Sequence, residues 1–130
     1  MTIYITDTHS LLWYLGGSPL LGDAARSAFD NAAAGTDQVS VPAIVLAELV
    51  MLIEKRRKSV DAASIFSTLR AAPGFRLTAL TPQTALRIQS LTVLPDIHDR
   101  LIVAEAIEAG ATLITRDEAI TASGLVPVVW

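Results

Sequence analysis

Short apolar runs alternate along this chain with longer stretches whose apolar positions recur at helical spacing. Residues 2–6 are β-branched and aromatic and end at Asp7, which predicts a strand, and Thr8 to Leu15 then reads as a helix stopped by Gly16-Gly17. Gly22 to Ala34 predicts an Ala-rich amphipathic helix closed by Gly35, and Val39-Ser40-Val41 a short strand. Pro42 suits the first turn of the next helix, because its missing N–H would have no intrahelical partner there. That helix, from about 42 to 57, is apolar on most of its circumference, which predicts a central place in the core. A helix from about Val60 to Ala72 ends at Pro73-Gly74, followed by a strand near Phe75 to Ala79 and a helix near Pro82 to Leu91. Leu94-Pro95 breaks the chain before a helix that holds Asp99 and ends at Gly110; Ala111 to Thr115 and Val126 to Trp130 supply the last strands.

Strands alternating with amphipathic helices, without hairpin signals, predict one α/β domain around a mostly parallel central sheet. Open sheets of this kind bind ligands beyond the carboxyl ends of their strands. Asp7 and Asp117 both stand at such ends, so this topology brings them to one edge.

Composition narrows the chemistry. The 130 residues include no cysteine, which removes disulfides, thiolate catalysis and thiolate zinc sites. Any metal must therefore be held by oxygen, with two histidines at most. No apolar run is long enough to span a bilayer and the N-terminus lacks the basic-then-apolar pattern of a secretory signal, so no membrane association and a cytoplasmic location are expected. A hydrophobic content of 52% against 18% charged residues leaves apolar surface for a partner. The net charge of −3 argues against nucleic-acid binding through bulk charge and puts weight on local cations. Lys55-Arg56-Arg57-Lys58 is the basic cluster, read either as a solvated helix end that complements the dipole or as a phosphate contact.

Four carboxylates carry the main chemical signal: Asp7, Glu48, Asp99 and Asp117 each adjoin or interrupt an apolar run. A buried acid needs a proton, a cation or several donors, since an isolated buried charge costs several kcal/mol. Asp7, Asp99 and Asp117 each have a bland alternative as caps or first-turn acids of helices, whereas Glu48, in mid-helix, has no backbone donor to satisfy it. Gathered by a fold, the four suit Mg²⁺ or Mn²⁺, hard cations that favour carboxylate and water oxygen, and thereby phosphodiester hydrolysis by a metal-activated water. Asp96 reads as an N-cap just outside its helix or an acid supporting the site, and Thr115 lies on the same side of its strand as Asp117, where it could bond a water of the metal. Arg100 and Arg116 adjoin site acids and, with His9, are candidate contacts to a substrate phosphate; spacing alone puts His98 at the surface.

Asp7-Thr8-His9-Ser10-Leu11-Leu12-Trp13, Glu48-Leu49, the Asp99–Ala106 run and Leu113-Ile114-Thr115-Arg116-Asp117 together resemble the PIN domain, specifically the VapC-type toxins of type II toxin–antitoxin systems. The resemblance spans nearly the whole chain. It implies a PIN-like three-layer fold over residues 1–130 and a Mg²⁺- or Mn²⁺-dependent endoribonuclease. Asp7 and Asp99 would be the most direct ligands, Glu48 a ligand or the residue that orients the attacking water, and Asp117 a ligand through water or to a second ion. It further implies a homodimer neutralised by a cognate antitoxin protein that lies over the active site. Two departures stand out. Ile44 and Val45 occupy places where many relatives carry Ser or Thr, so a supporting hydroxyl is absent or comes from Ser40. Asp96-Ile97-His98-Asp99 replaces a commoner Asp-Pro-aromatic-Asp pattern.

Other acid-gathering folds fit less well. A haloacid-dehalogenase-type phosphatase needs a second acid where His9 stands, and a receiver domain needs a phosphoacceptor at a strand end where Glu48 is in mid-helix. The non-enzymatic alternative is a catalytically silent PIN-like module that binds RNA or a partner; the presence of all four acids weighs against it.

Overall fold

The computed structural model describes residues 1–56 and 59–130, so Arg57 and Lys58 of the basic cluster lie outside the described residues. Five strands, β1 (Ile3–Thr6), β2 (Gln38–Pro42), β3 (Phe75–Thr78), β4 (Thr112–Ile114) and β5 (Val128–Val129), form one sheet in the order β3-β2-β1-β4-β5. Every pairing is parallel, with Tyr4 opposite Val39 on one side of β1 and opposite Thr112 on the other. The helices are α1 (Thr8–Leu15), α2 (Asp23–Ala34), α3 (Ala43–Lys55), α4 (Ala62–Ala71), α5 (Pro82–Arg87), α6 (Ile97–Ala109) and α7 (Glu118–Ser123). A short 3-10 turn over Ile88–Ser90 continues α5.

Burial along the strands explains why the sheet is parallel. Neighbouring strand residues point to opposite faces, yet Val39, Ser40 and Val41 are all buried, as are Leu113, Ile114 and Thr115. Both faces are therefore covered by helices, the condition under which all-parallel sheets occur. Among the described residues no helix is long and apolar enough to cross a membrane.

Two expectations from the sequence are corrected. Pro42 is not in the first turn of α3: it is the last residue of β2, in register with Thr78, and serves as N-cap in an extended conformation. A residue without an N–H is tolerated at that junction because the strand ends there. Nor is α3 central to the core. Val45 and Leu49 are buried, but Ala47 is exposed and Met51 is 64% exposed. The helix packs against α1, α4, α6 and β2 by one stripe, and its remaining apolar residues form surface.

An aromatic cluster packs near the amino ends of β2 and β3. Phe29 is fully buried between Tyr14, with ring centroids 4.5 Å apart, and Phe75, at 6.3 Å. Gly74 leads into β3, with its N–H donating to the Ala32 carbonyl and its carbonyl accepting from the Val39 N–H. A Cβ at this glycine would meet the Asp37 carbonyl at 2.2 Å and the Ala32 carbonyl at 2.3 Å, so the helix–strand approach requires glycine here.

Candidate active site

The strand order reverses at β1: β2 and β3 extend to one side of it, β4 and β5 to the other. The crevice beyond the carboxyl ends of β1 and β4 is thus the switch point where open α/β sheets bind ligands. Asp7 is the residue after β1, and its N–H donates to the Ile114 carbonyl at 3.3 Å at the end of β4. Thr115 continues β4, and Asp117 follows two residues later as the N-cap of α7.

The acids that cap helices also line the cleft. Asp7 caps α1 with Oδ1, which accepts from the Ser10 N–H at 2.9 Å, and turns Oδ2 to the Thr115 hydroxyl, which donates to it at 2.5 Å. Asp117 caps α7 by accepting from the Ile120 N–H at 2.9 Å, and its own N–H donates to Thr115 Oγ1 at 3.0 Å. Thr115, buried to 1% exposure, therefore ties the two acids to each other. Asp96 is the N-cap of α6, as expected, and accepts from the His98 and Asp99 N–H groups. This leaves Asp99 in the first turn with its carboxyl uncommitted to capping.

Glu48 projects from the middle of α3, and its donor is a residue the sequence reading passed over. The Thr8 hydroxyl donates to Glu48 Oε1 at 2.9 Å, and His98 Nδ1 stands 3.6 Å from Oε2. The supporting hydroxyl comes from Thr8, not Ser40, which instead meets the Gln38 side chain. The available signal was the position of Thr8 directly after Asp7, at the start of a helix whose cap is a site acid. His98, whose side chain is 45% exposed as the spacing suggests, nonetheless lines the cleft, with Nδ1 within 4 Å of both Glu48 and Asp96.

Asp7, Glu48, Asp99 and Asp117, with Asp96, line one cavity of about 240 Å³. Burial pushes the Asp99 carboxyl up to about 6, and the nearby carboxylates of Asp117, Asp96, Asp7 and Glu48 add to the rise. Among the described residues no three carboxylate or imidazole groups are near enough, as they stand, to share an ion. Five carboxylates nonetheless line this one cleft beside His9 and His98, and the repulsion they exert at Asp99 is what a hard divalent cation relieves. The residues fit such an ion in chemistry and in place, without a finished coordination geometry.

The two arginines part company. Arg100 Nε donates to the Leu94 carbonyl at 2.5 Å, and Arg100 does not line the acidic cavity. Arg116 lies on an adjoining cavity of about 600 Å³ together with Asp7, His9, Trp13, Asp117 and Glu118. Its guanidinium carbon is 4.4 Å from the centre of the Trp13 ring.

Residues 4–123 match the family model described as PIN domain. The chain is 33% identical over 119 residues to Ribonuclease VapC22 of Mycobacterium tuberculosis, covering 90% of this chain and 88% of that protein. Among solved structures, VapBC2 from Rickettsia felis bound to a DNA fragment from their promoter superposes with a TM-score of 0.76 at 18% identity, over 98% of each chain. Mycobacterium tuberculosis VapC20, titled a Sarcin-Ricin loop cleaving toxin, superposes with a TM-score of 0.64 at 22% identity, covering 95% of this chain and 96% of its own. At those identities the structural likeness shows a shared fold.

Proposed function

The chain belongs to the PIN-domain family, and from that premise we propose that residues 1–130 form a single-domain endoribonuclease, the toxin of a type II toxin–antitoxin module. The observation that carries the proposal is the meeting of acids from four separate elements in one cleft at the sheet's switch point. The 33% identity to a ribonuclease supports RNA as the substrate.

Asp7, Asp99, Glu48 and Asp117 would hold Mg²⁺ or Mn²⁺, which when bound supplies Lewis acidity toward a phosphoryl oxygen and a water. The remaining chemistry belongs to the side chains. Thr115 holds Asp7 Oδ2 and the Asp117 backbone, and Thr8 holds Glu48 Oε1, so three of the four carboxylates face the cleft in supported orientations. Support of this kind matters because a displacement of about 1 Å from productive geometry costs on the order of 100-fold in rate. Glu48 Oε2 accepts no hydrogen bond among the described residues and is suited to orient the attacking water and accept its proton. The water oxygen then bonds to phosphorus, the bond from phosphorus to the leaving ribose oxygen breaks, and that oxygen takes a proton from solvent water while Glu48 later returns its own to solvent. Arg116 and His9 are the proposed phosphate contacts; the placement of Arg100 on Leu94 removes the support for its role there.

The proposed partners are a cognate antitoxin and a second copy of the chain. An apolar groove of about 560 Å³ between α1, α3 and α4, walled by Leu12, Leu15, Leu49, Ile53 and Ile65, suits an amphipathic segment of the antitoxin.

Cells expressing the chain are compared with cells expressing Asp7→Asn by sequencing RNA ends, and the purified proteins are assayed with Mg²⁺, with Mn²⁺ and with EDTA. The proposal expects cleavage ends and growth inhibition from the parent alone, and no activity in EDTA. Equal effects from parent and variant would sink the nuclease reading and leave a module that binds without cutting.

A further inference from the structure

Beyond Asp7 and Asp117 the acidic cleft adjoins the larger cavity, with Asp7, His9 and Asp117 on the wall of both. Arg116 is exposed there among three carboxylates, Asp7, Asp117 and Glu118, yet among the described residues it forms no ion pair with any of them. It lies instead over aromatic rings, 4.4 Å from the centre of Trp13 and 5.9 Å from that of Trp130. Trp130 meets Trp13 edge to face at 5.8 Å, and His9 stands 5.6 Å from Trp13 on the cavity side. The seat of Trp130 is built: a Cβ at residue 22 would fall 2.6 Å from the indole, so Gly22 is what lets the ring back onto α2.

A guanidinium held over one indole, here Trp13 with Trp130 set edge-on beside it, can keep N–H donors free for a ligand while the ring backs its charge. A guanidinium backed by an indole beside a cleft rich in carboxylates meets the two needs of a nucleotide, a stacking partner for the base and donors for its phosphate. We propose that Trp13, Arg116 and Trp130 form a stacking platform that takes one unpaired base next to the scissile phosphate, with the Arg116 donors and His9 directed to the backbone. The platform rests on the ribonuclease reading and adds to it a stated requirement: the nucleotide beside the cut must be unstacked and unpaired, because a base inside a duplex has no free face.

Trp13 and Trp130 are the two tryptophans of the chain, so emission excited selectively in tryptophan reports on the platform. The probes are a short single-stranded oligoadenylate, the same oligomer with abasic positions, and its duplex with oligouridylate, titrated with Mg²⁺ into Asp99→Asn protein to prevent cutting. Emission should be quenched by the single strand and far less by the duplex or the abasic strand. Arg116→Lys keeps the charge and loses the plane, and it should weaken binding of the single strand about ten-fold. On an oligoribonucleotide that the parent cuts, Arg116→Lys should raise KM about ten-fold with a smaller change in kcat, and Trp13→Phe should retain more binding than Trp13→Leu. Equal quenching by single strand and duplex, or equal binding by parent and Arg116→Lys, overturns the platform. Expected quenching in the Asp99→Asn protein together with a parent that cuts no RNA leaves the platform standing and refutes the ribonuclease reading, so the two failures are separable.

Discussion

Helix α1 borders two regions of opposite character. Toward α2 its Tyr14 stacks on Phe29 in a zone of apolar contact, hydrogen-bonded backbone and a glycine that a methyl group would overfill. At its other end Asp7 and Thr8 enter a cleft where Asp99 is raised to about 6 by burial and by four other carboxylates. The first region lowers the energy of the fold and the second raises it. The contrast shows where a small α/β domain concentrates its stability and where it sacrifices some, since groups arranged for a ligand repel one another without it.

The sharpest way to test this contrast is Asp99→Asn. It should lower RNA cleavage on the order of 1000-fold by removing a proposed metal ligand. The same change should stabilise the metal-free protein by about 1 kcal/mol, because a neutral amide escapes the repulsion. Thermal melts in EDTA check the second effect, and a variant that loses both activity and stability would break the comparison. Phe29→Ala is the counterpart: removing a fully buried ring should cost about 4 kcal/mol in urea unfolding. Cleavage per folded molecule should persist below its melting temperature.

Thr115→Val sits at the border of the two regions, since it keeps the packing volume and removes the hydroxyl shared by Asp7 and Asp117. The Mg²⁺ concentration for half-maximal cleavage should rise at least about ten-fold, as for other residues that orient metal ligands. The smallest expected effect is that of pH. Asp99 holds its proton more tightly folded, near 6, than unfolded, near its ordinary value of 3.8, so the folded state binds the extra proton between those values. Stability of the metal-free protein should therefore fall as pH rises through that window, by about 1 kcal/mol once solvent screening is allowed for. Paired melts of parent and Asp99→Asn isolate the slope, and parallel curves would remove Asp99 as its source.

Much of this frame was legible residue by residue. The strand ending at Asp7, the helices closing at Gly35 and Gly110 and the cap at Asp96 follow from local rules, in which side-chain period and backbone satisfaction act within a few positions. The apolar circumference of α3 misled about its depth, because hydrophobicity reports a preference for contact and not which partner supplies it. Met51 is 64% exposed.

The groups around the acids were less legible. Thr8 and Glu48 are 40 positions apart, and Thr115 and Asp7 are 108 apart, and no local pattern marks either pair. Arg100 and Arg116 look alike in sequence, each beside a site acid, yet one bonds the Leu94 carbonyl and the other lies on Trp13. The sequence by itself determined the elements, the absence of thiol chemistry and the delivery of acids to strand and helix ends, because these depend on composition and short-range periodicity. The tertiary structure alone decided that β1 and β4 are neighbours, that Thr115 and Thr8 hold the acids, and that Arg116 rather than Arg100 faces the cleft. Those depend on strand order and side-chain direction, which only long-range packing sets.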